Sequence, residues 1–296
     1  MISGLIWVHK FRILKGKGEI RSLKVAKYVY MGKYSLKGFM ALVLITGTLS
    51  AKAWGPVGHR VIAEIASMHL TPKAQQAIRA IIGQETLAMI ANWPDFIKSD
   101  TTGIYNHTST WHYLDFPGHC TREEYDRLLA AAKGENLYSQ TMAMIRELKD
   151  PSTPADRRRF ALSFLVHMIG DMHMPLHVGR DEDMGGNKIS VTWFDRPTNL
   201  HRVWDEHLID FQQYSYTEYA GLLNRVVTKH KRAALQAGSV QDWMWESHVL
   251  SDKIYDRTNA GDKLSYRYNF LFMEDLNAQL TKGGFRLAKI LNEAFK

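Results

Sequence analysis

A mainly α, single-domain, multi-helix fold with one short β-hairpin is what the sequence predicts, and three observations predict it. Apolar residues at Val61, Ile62, Ile65, Ala66 and Leu70 recur with the 3.6-residue period of a helix. Threonine–proline pairs at Thr71-Pro72 and Thr153-Pro154 carry the cap and first-turn chemistry of helix starts. After residue 53 no repeat, low-complexity linker or composition break divides the chain, so residues 54–296 read as one domain.

The first 53 residues are a separate matter. They hold ten Lys or Arg against Glu19 alone, so the other 28 basic and 29 acidic residues leave the remainder nearly neutral, although the whole chain stands at +8. The basic balance therefore says nothing about partners of the folded part. The apolar run at residues 38–49 follows Lys33 and Lys37 and precedes Ala51-Lys52-Ala53, the small-x-small pattern of a signal cleavage site. It is too short for a comfortable membrane span, which needs about 20 residues. We expect an N-terminal extension and signal peptide over 1–53, with translation from Met31, cleavage after Ala53, a secreted or periplasmic destination and no stable membrane association afterwards. Cys120 is the single cysteine, so an internal disulfide is excluded.

Along the remaining chain, the apolar stripe predicts a helix over residues 57–70 and Thr71-Pro72 opens a second one toward Ile82. Further helices are expected at about 123–134 and 139–149, and a long one from Thr153-Pro154 to Met172. Residues 185–194 alternate apolar and polar after a Gly-Gly turn, which predicts a short strand or hairpin. Helices resume near Leu200, Tyr216, Val240 and Met273.

Chemistry concentrates in the run from His167 to His177, which holds three histidines and Asp171. His167 and Asp171 are four apart, so on a helix they share one face and can grip one ion together. Pro175 ends that helix, and His177 arrives from another direction. A second His-x-x-x-Asp pair stands at His201 and Asp205. Two such clustered pairs with ligand spacing point to metal. If cleavage follows Ala53, Trp54 becomes the N-terminus, and its free amine and own carbonyl oxygen can chelate an ion with His59 nearby.

Together Trp54-Gly-x-x-Gly-His59, Trp93-Pro-Asp95, Trp111-His112-Tyr113-x-Asp115, His167-x3-Asp171-x5-His177, Gly185-Gly-Asn187 and His201-x3-Asp205 resemble the zinc-dependent S1/P1 nucleases, relatives of bacterial zinc phospholipase C, in order and spacing over all of residues 54–296. The resemblance implies the phospholipase C/nuclease type of helical fold and three Zn²⁺ per chain. One ion would be held by Asp95, His112, His167 and Asp171. A second would take the Trp54 amine and carbonyl, His59 and a bridging Asp171, and the third His177, His201 and Asp205. It also implies hydrolysis of single-stranded DNA or RNA to 5′-nucleotides, and of 3′-nucleotides. Asp95 would orient the attacking water, Tyr113 would stack on a base and Asp115 would accept its hydrogen bonds.

Some residues qualify the match. Lys98 stands where fungal members carry a phosphate-contacting arginine, and a lysine keeps the charge without the bidentate fork. His173 is expected to pack rather than to ligate, and His69, His107, His119, His207, His230 and His248 are given no metal role. Asp100 and Asp195 are expected to be solvated. Three Zn²⁺ against three carboxylates leave a site charge of about +3, so phosphate attraction should be local and the footprint small. A phospholipase C is the nearest rival, but those enzymes carry glutamate where this chain has Asp205. A non-catalytic zinc-binding export protein is the other. No protein partner is implied.

Overall fold

The computed structural model describes residues 54–296. The extension, the Met31 start and cleavage after Ala53 lie outside the described residues. The architecture is mainly α: α1 (Pro56–Ser67), α2 (Pro72–Ile82), the one-turn α3 (Leu87–Ile90) and α4 (Trp93–Phe96), α5 (Arg122–Ala131), α6 (Leu137–Lys149) and α7 (Ala155–Met172) form the first half. Then come α8 (Leu200–Arg202) and α9 (Leu208–Asp210), joined by a π turn at Val203–His207, followed by α10 (Tyr216–Arg225), α11 (Lys229–Leu235), α12 (Val240–Tyr255) and α13 (Tyr266–Ala294).

Local chemistry sets the helix starts. Thr71 accepts from the Ala74 N–H ahead of Pro72, and reciprocal capping boxes pair Thr121 with Glu124, Asn136 with Ser139, Ser215 with Glu218 and Ser239 with Asp242. These caps move some boundaries from their expected places. The helix expected at 123–134 begins at Arg122 and stops at Ala131, and the one expected at 139–149 begins at Leu137 because Asn136 caps it. The last helix begins seven residues before Met273 and runs 29 residues.

Helix α7 is the hub. Every residue from Ala161 to Met172 is buried, so its apolar residues form no single stripe and its neighbours surround it. Helix α1 meets α13 with almost no side chain between them, because a Cβ at Gly284 would lie 2.5 Å from Ile65 Cβ.

The expected hairpin is present but is part of a three-stranded sheet. Strand β1 (Ser190–Trp193) pairs antiparallel with β2 (Arg196–Asn199), with Trp193 opposite Arg196, and parallel with β3 (Lys263–Leu264). The turn at Phe194-Asp195 holds both residues at positive φ (47° and 61°), a conformation usually left to Asn-Gly. Among the described residues no helix is long and apolar enough to cross a membrane.

The carboxyl end of α7 is locked from behind. Ser247 on α12 donates to the Met172 carbonyl (2.6 Å), and Gln279 on α13 donates to the His173 carbonyl (3.1 Å) and to Ser247 Oγ (2.9 Å). His173 is buried as expected for a packing group: its Nδ1 donates to the Ile169 carbonyl and its Nε2 accepts from Arg286 Nη1 at 3.0 Å. Arg286, itself buried, grips both carboxylate oxygens of Glu246.

Two outcomes follow. Gly284→Ala should lower stability by about 1–3 kcal/mol through forced separation of α1 and α13, outweighing a helix-propensity gain of about 1 kcal/mol; thermal denaturation checks the sign. Arg286→Leu strands His173 Nε2 and should cost about 3 kcal/mol, read as a fall in melting temperature of roughly 10 °C.

Candidate metal centre and substrate cleft

Seven elements of the chain deliver the candidate ligands to one place. His59 comes from α1, Asp95 from α4, His112 from the 3₁₀ segment Asn106–His112, His167 and Asp171 from α7, and His177 from the 3₁₀ segment Pro175–Val178. His201 and Asp205 come from α8 and the π turn behind it. All but Asp95 are buried.

The histidines are oriented by backbone carbonyls. Nδ1 of His167 donates to Ala91 O, that of His177 to His112 O and that of His201 to Gly185 O, each at 2.7 Å. A carbonyl only accepts, so these bonds fix each neutral tautomer and leave Nε2 as a lone-pair donor. The three Nε2 atoms reach the carboxylates: His167 to Asp171 Oδ2 at 3.3 Å, His177 to Asp205 Oδ1 at 3.9 Å and His201 to Asp205 Oδ2 at 3.8 Å. His112 is turned the other way, with Nδ1 lying 3.0 Å from His167 Nε2 and 3.1 Å from Asp171 Oδ2.

Two glycines make the convergence possible. A Cβ at Gly170, inside α7, would lie 2.4 Å from His59 Nδ1, so its absence lets the His59 ring stack on His167 at 3.8 Å. Gly185 sits at φ +60° with Leu176 O only 2.2 Å from any added Cβ, which brings its carbonyl to His201. Trp54 is fully buried, and the adjacent Gly55 N–H donates to the Asp205 carbonyl at 2.7 Å, tying the start of the described chain to the π turn.

Burial sets the charge state of this cluster. Desolvation lowers His59 and His167 to about 4 and holds His112 well below its ordinary value, so all three are neutral imidazoles at neutral pH. The same desolvation raises Asp171 to about 8 and Asp205 well above the carboxylate range. Asp95 differs. Burial pushes it upward too, but His167, Lys98 and His59 outweigh that and bring it to about 2.

Several buried polar atoms in this cluster make no hydrogen bond: both ring nitrogens of His59, His112 Nε2, Asp171 Oδ1 and Asp205 Oδ1. Neutral nitrogen donors and buried carboxylate oxygens facing one another fit divalent cations, whose charge offsets the cost of ionising the carboxylates. Three groups have donor atoms within 4.8 Å of one another: His59-Asp95-His167, His112-His167-Asp171 and His177-His201-Asp205. The structure thus gathers every expected side-chain ligand, the last group as a set of its own and the first two sharing His167.

Above the cluster lies a cleft of about 640 Å³ lined by Lys98, His112, Tyr113, Asp115, His177 and His201 among others. Residues 114–116 pair with 177–179 through Leu114 N–H to His177 O and Phe116 N–H to Gly179 O, both 2.9 Å. This short ladder sets Asp115 at the wall, where its Oδ1 accepts from the Gly179 N–H at 3.0 Å. Burial raises Asp115 to about 7 against that hydrogen bond, with Asp181, Asp183 and Glu182 adding to the rise. Tyr113 is exposed at the mouth, and Lys98 Nζ donates to Asp95 Oδ1 at 2.7 Å.

The histidines given no metal role lie elsewhere. His69 bonds to Asn224, His207 to Thr198 and His248 to the Val178 carbonyl, with the Cys120 thiol 3.3 Å from its Nε2. His119 pairs with Asp256, and His107 packs edge-on against Trp111. Asp195 is exposed in the hairpin turn, and Asp100, half-buried, accepts from Thr102. Sequence reasoning missed Gly170 and the carbonyl of Ala91. A glycine inside an expected helix, one residue before a candidate ligand, was the available signal for the first.

The family model of the S1/P1 nucleases matches residues 54–296. Endonuclease 4 of Arabidopsis thaliana is 31% identical, with 88% of this chain and 96% of the relative aligned. Nuclease P1 of Penicillium citrinum is 27% identical over 81% of this chain and 97% of its own length. Nuclease S1 of Aspergillus oryzae is 32% identical over 52% of this chain and 54% of its own. With the match spanning the whole helical domain and its buried His/Asp cluster, the chain belongs to the S1/P1 nuclease family and is a hydrolase of phosphodiester bonds.

Proposed function

We propose that this protein is a zinc-dependent enzyme that cleaves single-stranded DNA and RNA to 5′-nucleotides and dephosphorylates 3′-nucleotides. The observation that carries the reading is the set of desolvated, hydrogen-bond-orphaned His and Asp atoms at the base of a cleft edged by Tyr113 and Asp115. Asp95, His112, His167 and Asp171 are assigned to one ion, the Trp54 amine and carbonyl with His59 and Asp171 to a second, and His177, His201 and Asp205 to a third. The sharing of His167 between two donor groups supports a close pair. Bound zinc would supply Lewis acidity there, bringing the pKa of water to about 7 and offsetting phosphate charge.

The chain's own residues account for the remaining steps. Asp95 stays ionised and partly exposed, so it can accept a hydrogen bond from an attacking water and orient it. Lys98 brings a cation to the same wall as a phosphate contact, although its pairing with Asp95 divides its charge between the two roles. Tyr113 offers a ring face to an unstacked base, which favours single strands over duplex. Asp115 reads the edge of that base.

We further propose that export completes the enzyme. Cleavage after Ala53, in a precursor starting at Met31, would free the Trp54 amine in a periplasmic or extracellular setting. The test is metal analysis with hydrolysis of single-stranded DNA and 3′-AMP, on protein beginning at Trp54 and on a form with an added N-terminal Ala. The Trp54 form should hold three zinc ions, lose activity on chelation and regain it with Zn²⁺, while the extended form should hold less metal and turn over at least about tenfold more slowly. Equal metal and activity in both forms contradict the N-terminal ligand.

Asp115 makes the reading of the base edge pH-dependent. With its pKa raised to about 7, the carboxyl gains a proton as pH falls through that value and can no longer accept from a base amino group with both oxygens. KM for 3′-AMP should therefore rise between pH 8 and pH 6. Asp115→Asn should remove that slope and lower kcat/KM at pH 8 by about tenfold, the loss of one buried hydrogen bond. A slope that persists in Asp115→Asn assigns it to another group.

A further inference from the structure

A second cleft, of about 440 Å³, adjoins the substrate cleft, and Tyr105 lines both. Its wall is aromatic. Trp93 meets Tyr105 edge-on at 5.7 Å and Phe160 at 5.8 Å. Met89 on the lining is 58% exposed.

The charges around it are already answered. Arg157 binds Glu147 through Nε (2.6 Å) and Nη2 (2.7 Å) while its guanidinium covers the Phe160 ring at 4.5 Å. Arg159 is ion-paired with Glu85. Glu85 and Asp156 offset Arg157 and Arg159 in the lining, so the cleft carries no net charge. Such a site is poor for phosphate, since its guanidinium groups are engaged and two carboxylates face the same space. It suits a flat, uncharged heteroaromatic body, which gains from aromatic edges and faces and from a guanidinium plane whatever its hydrogen-bonding pattern.

The occupant is indicated by continuity. The three segments that bring residues to this cleft before α7 each leave a large apolar side chain in solvent: Met89, Phe96 at 74% and Ile104 at 62%. Large apolar side chains left in solvent on the same segments that line a cleft suit an occupant that runs on past it. We propose that the cleft is a second base-binding subsite. It holds one further base of the strand whose scissile phosphate lies in the neighbouring cleft, with Tyr105 as the shared wall. This rests on the nucleic-acid reading of the main site, and it adds that short oligonucleotides bind better than mononucleotides through stacking rather than through phosphate charge.

The test uses the zinc-loaded enzyme and two variants, Met89→Glu, which sets a carboxylate on the lining at an exposed position, and Phe160→Leu, which keeps apolar volume without the ring. Fluorescence anisotropy measures binding of a 5′-labelled phosphorothioate dodecathymidylate. Steady-state kinetics compare dodecathymidylate with 3′-AMP. The expected result is a Kd and a dodecathymidylate KM raised about fivefold or more in both variants, with kcat retained and 3′-AMP hydrolysis unchanged. Unchanged binding by Met89→Glu overturns the subsite, as does a loss shared equally by 3′-AMP and the oligonucleotide. Differential binding in an enzyme that hydrolyses neither substrate would overturn the proposed activity and leave the subsite standing.

Discussion

Asp171 lies out of water against four imidazoles, those of His59, His112, His167 and His177, and this desolvation constrains everything around it. A buried carboxylate resists ionisation and a buried imidazole resists protonation, so the fully buried members of the cluster, Asp95 apart, settle into a neutral state with lone pairs facing inward. Divalent cations reverse the preference of the carboxylates while using the imidazoles as they are. The scaffold is arranged for that outcome. Carbonyls of Ala91, His112 and Gly185 fix three ring tautomers, and all three lie outside the α-helices and strands.

Rigidity comes from the far side of the same run. Asp171 and His177 serve different donor groups, and the chain between them turns sharply at His173 and Pro175. The carbonyls exposed at this turn are taken up by Ser247 and Gln279, and the His173 ring by Arg286. A run that resembles one compact site in the sequence is therefore a hinge with a donor group on each side and a buried polar lock beneath it. Polar groups this deep are tolerable only when all of them are partnered, and this lock meets that condition.

Much of this was legible in the residues because it rests on local rules. The second helix started from the cap chemistry read at Thr71, whereas α7 starts after Pro154 with no side-chain cap from Thr153; the His-x-x-x-Asp pairs fell on helical turns as their spacing required. The π turn at Val203–His207 widens the second of these, yet His201 Nε2 still reaches Asp205. The less legible parts depend on distant contacts. Strand β3 is two residues long and exists because β1 lies beside it, which no periodicity can announce. Gly170 matters only because His59, more than a hundred residues earlier, packs against it. The early start of α13 at Tyr266 was hidden by the mixed composition of its first turns, where Tyr266 and Phe270 face solvent.

On the proposed reading, three zinc ions complete the buried His/Asp cluster. Anomalous X-ray scattering at the zinc edge, from crystals of the protein beginning at Trp54, tests it most directly. Three peaks are expected, one among His177, His201 and Asp205 and a close pair flanking Asp171, with one of that pair in contact with the Trp54 amine. Peaks absent from these positions in zinc-saturated crystals, or a single peak shared by the whole cluster, would contradict it.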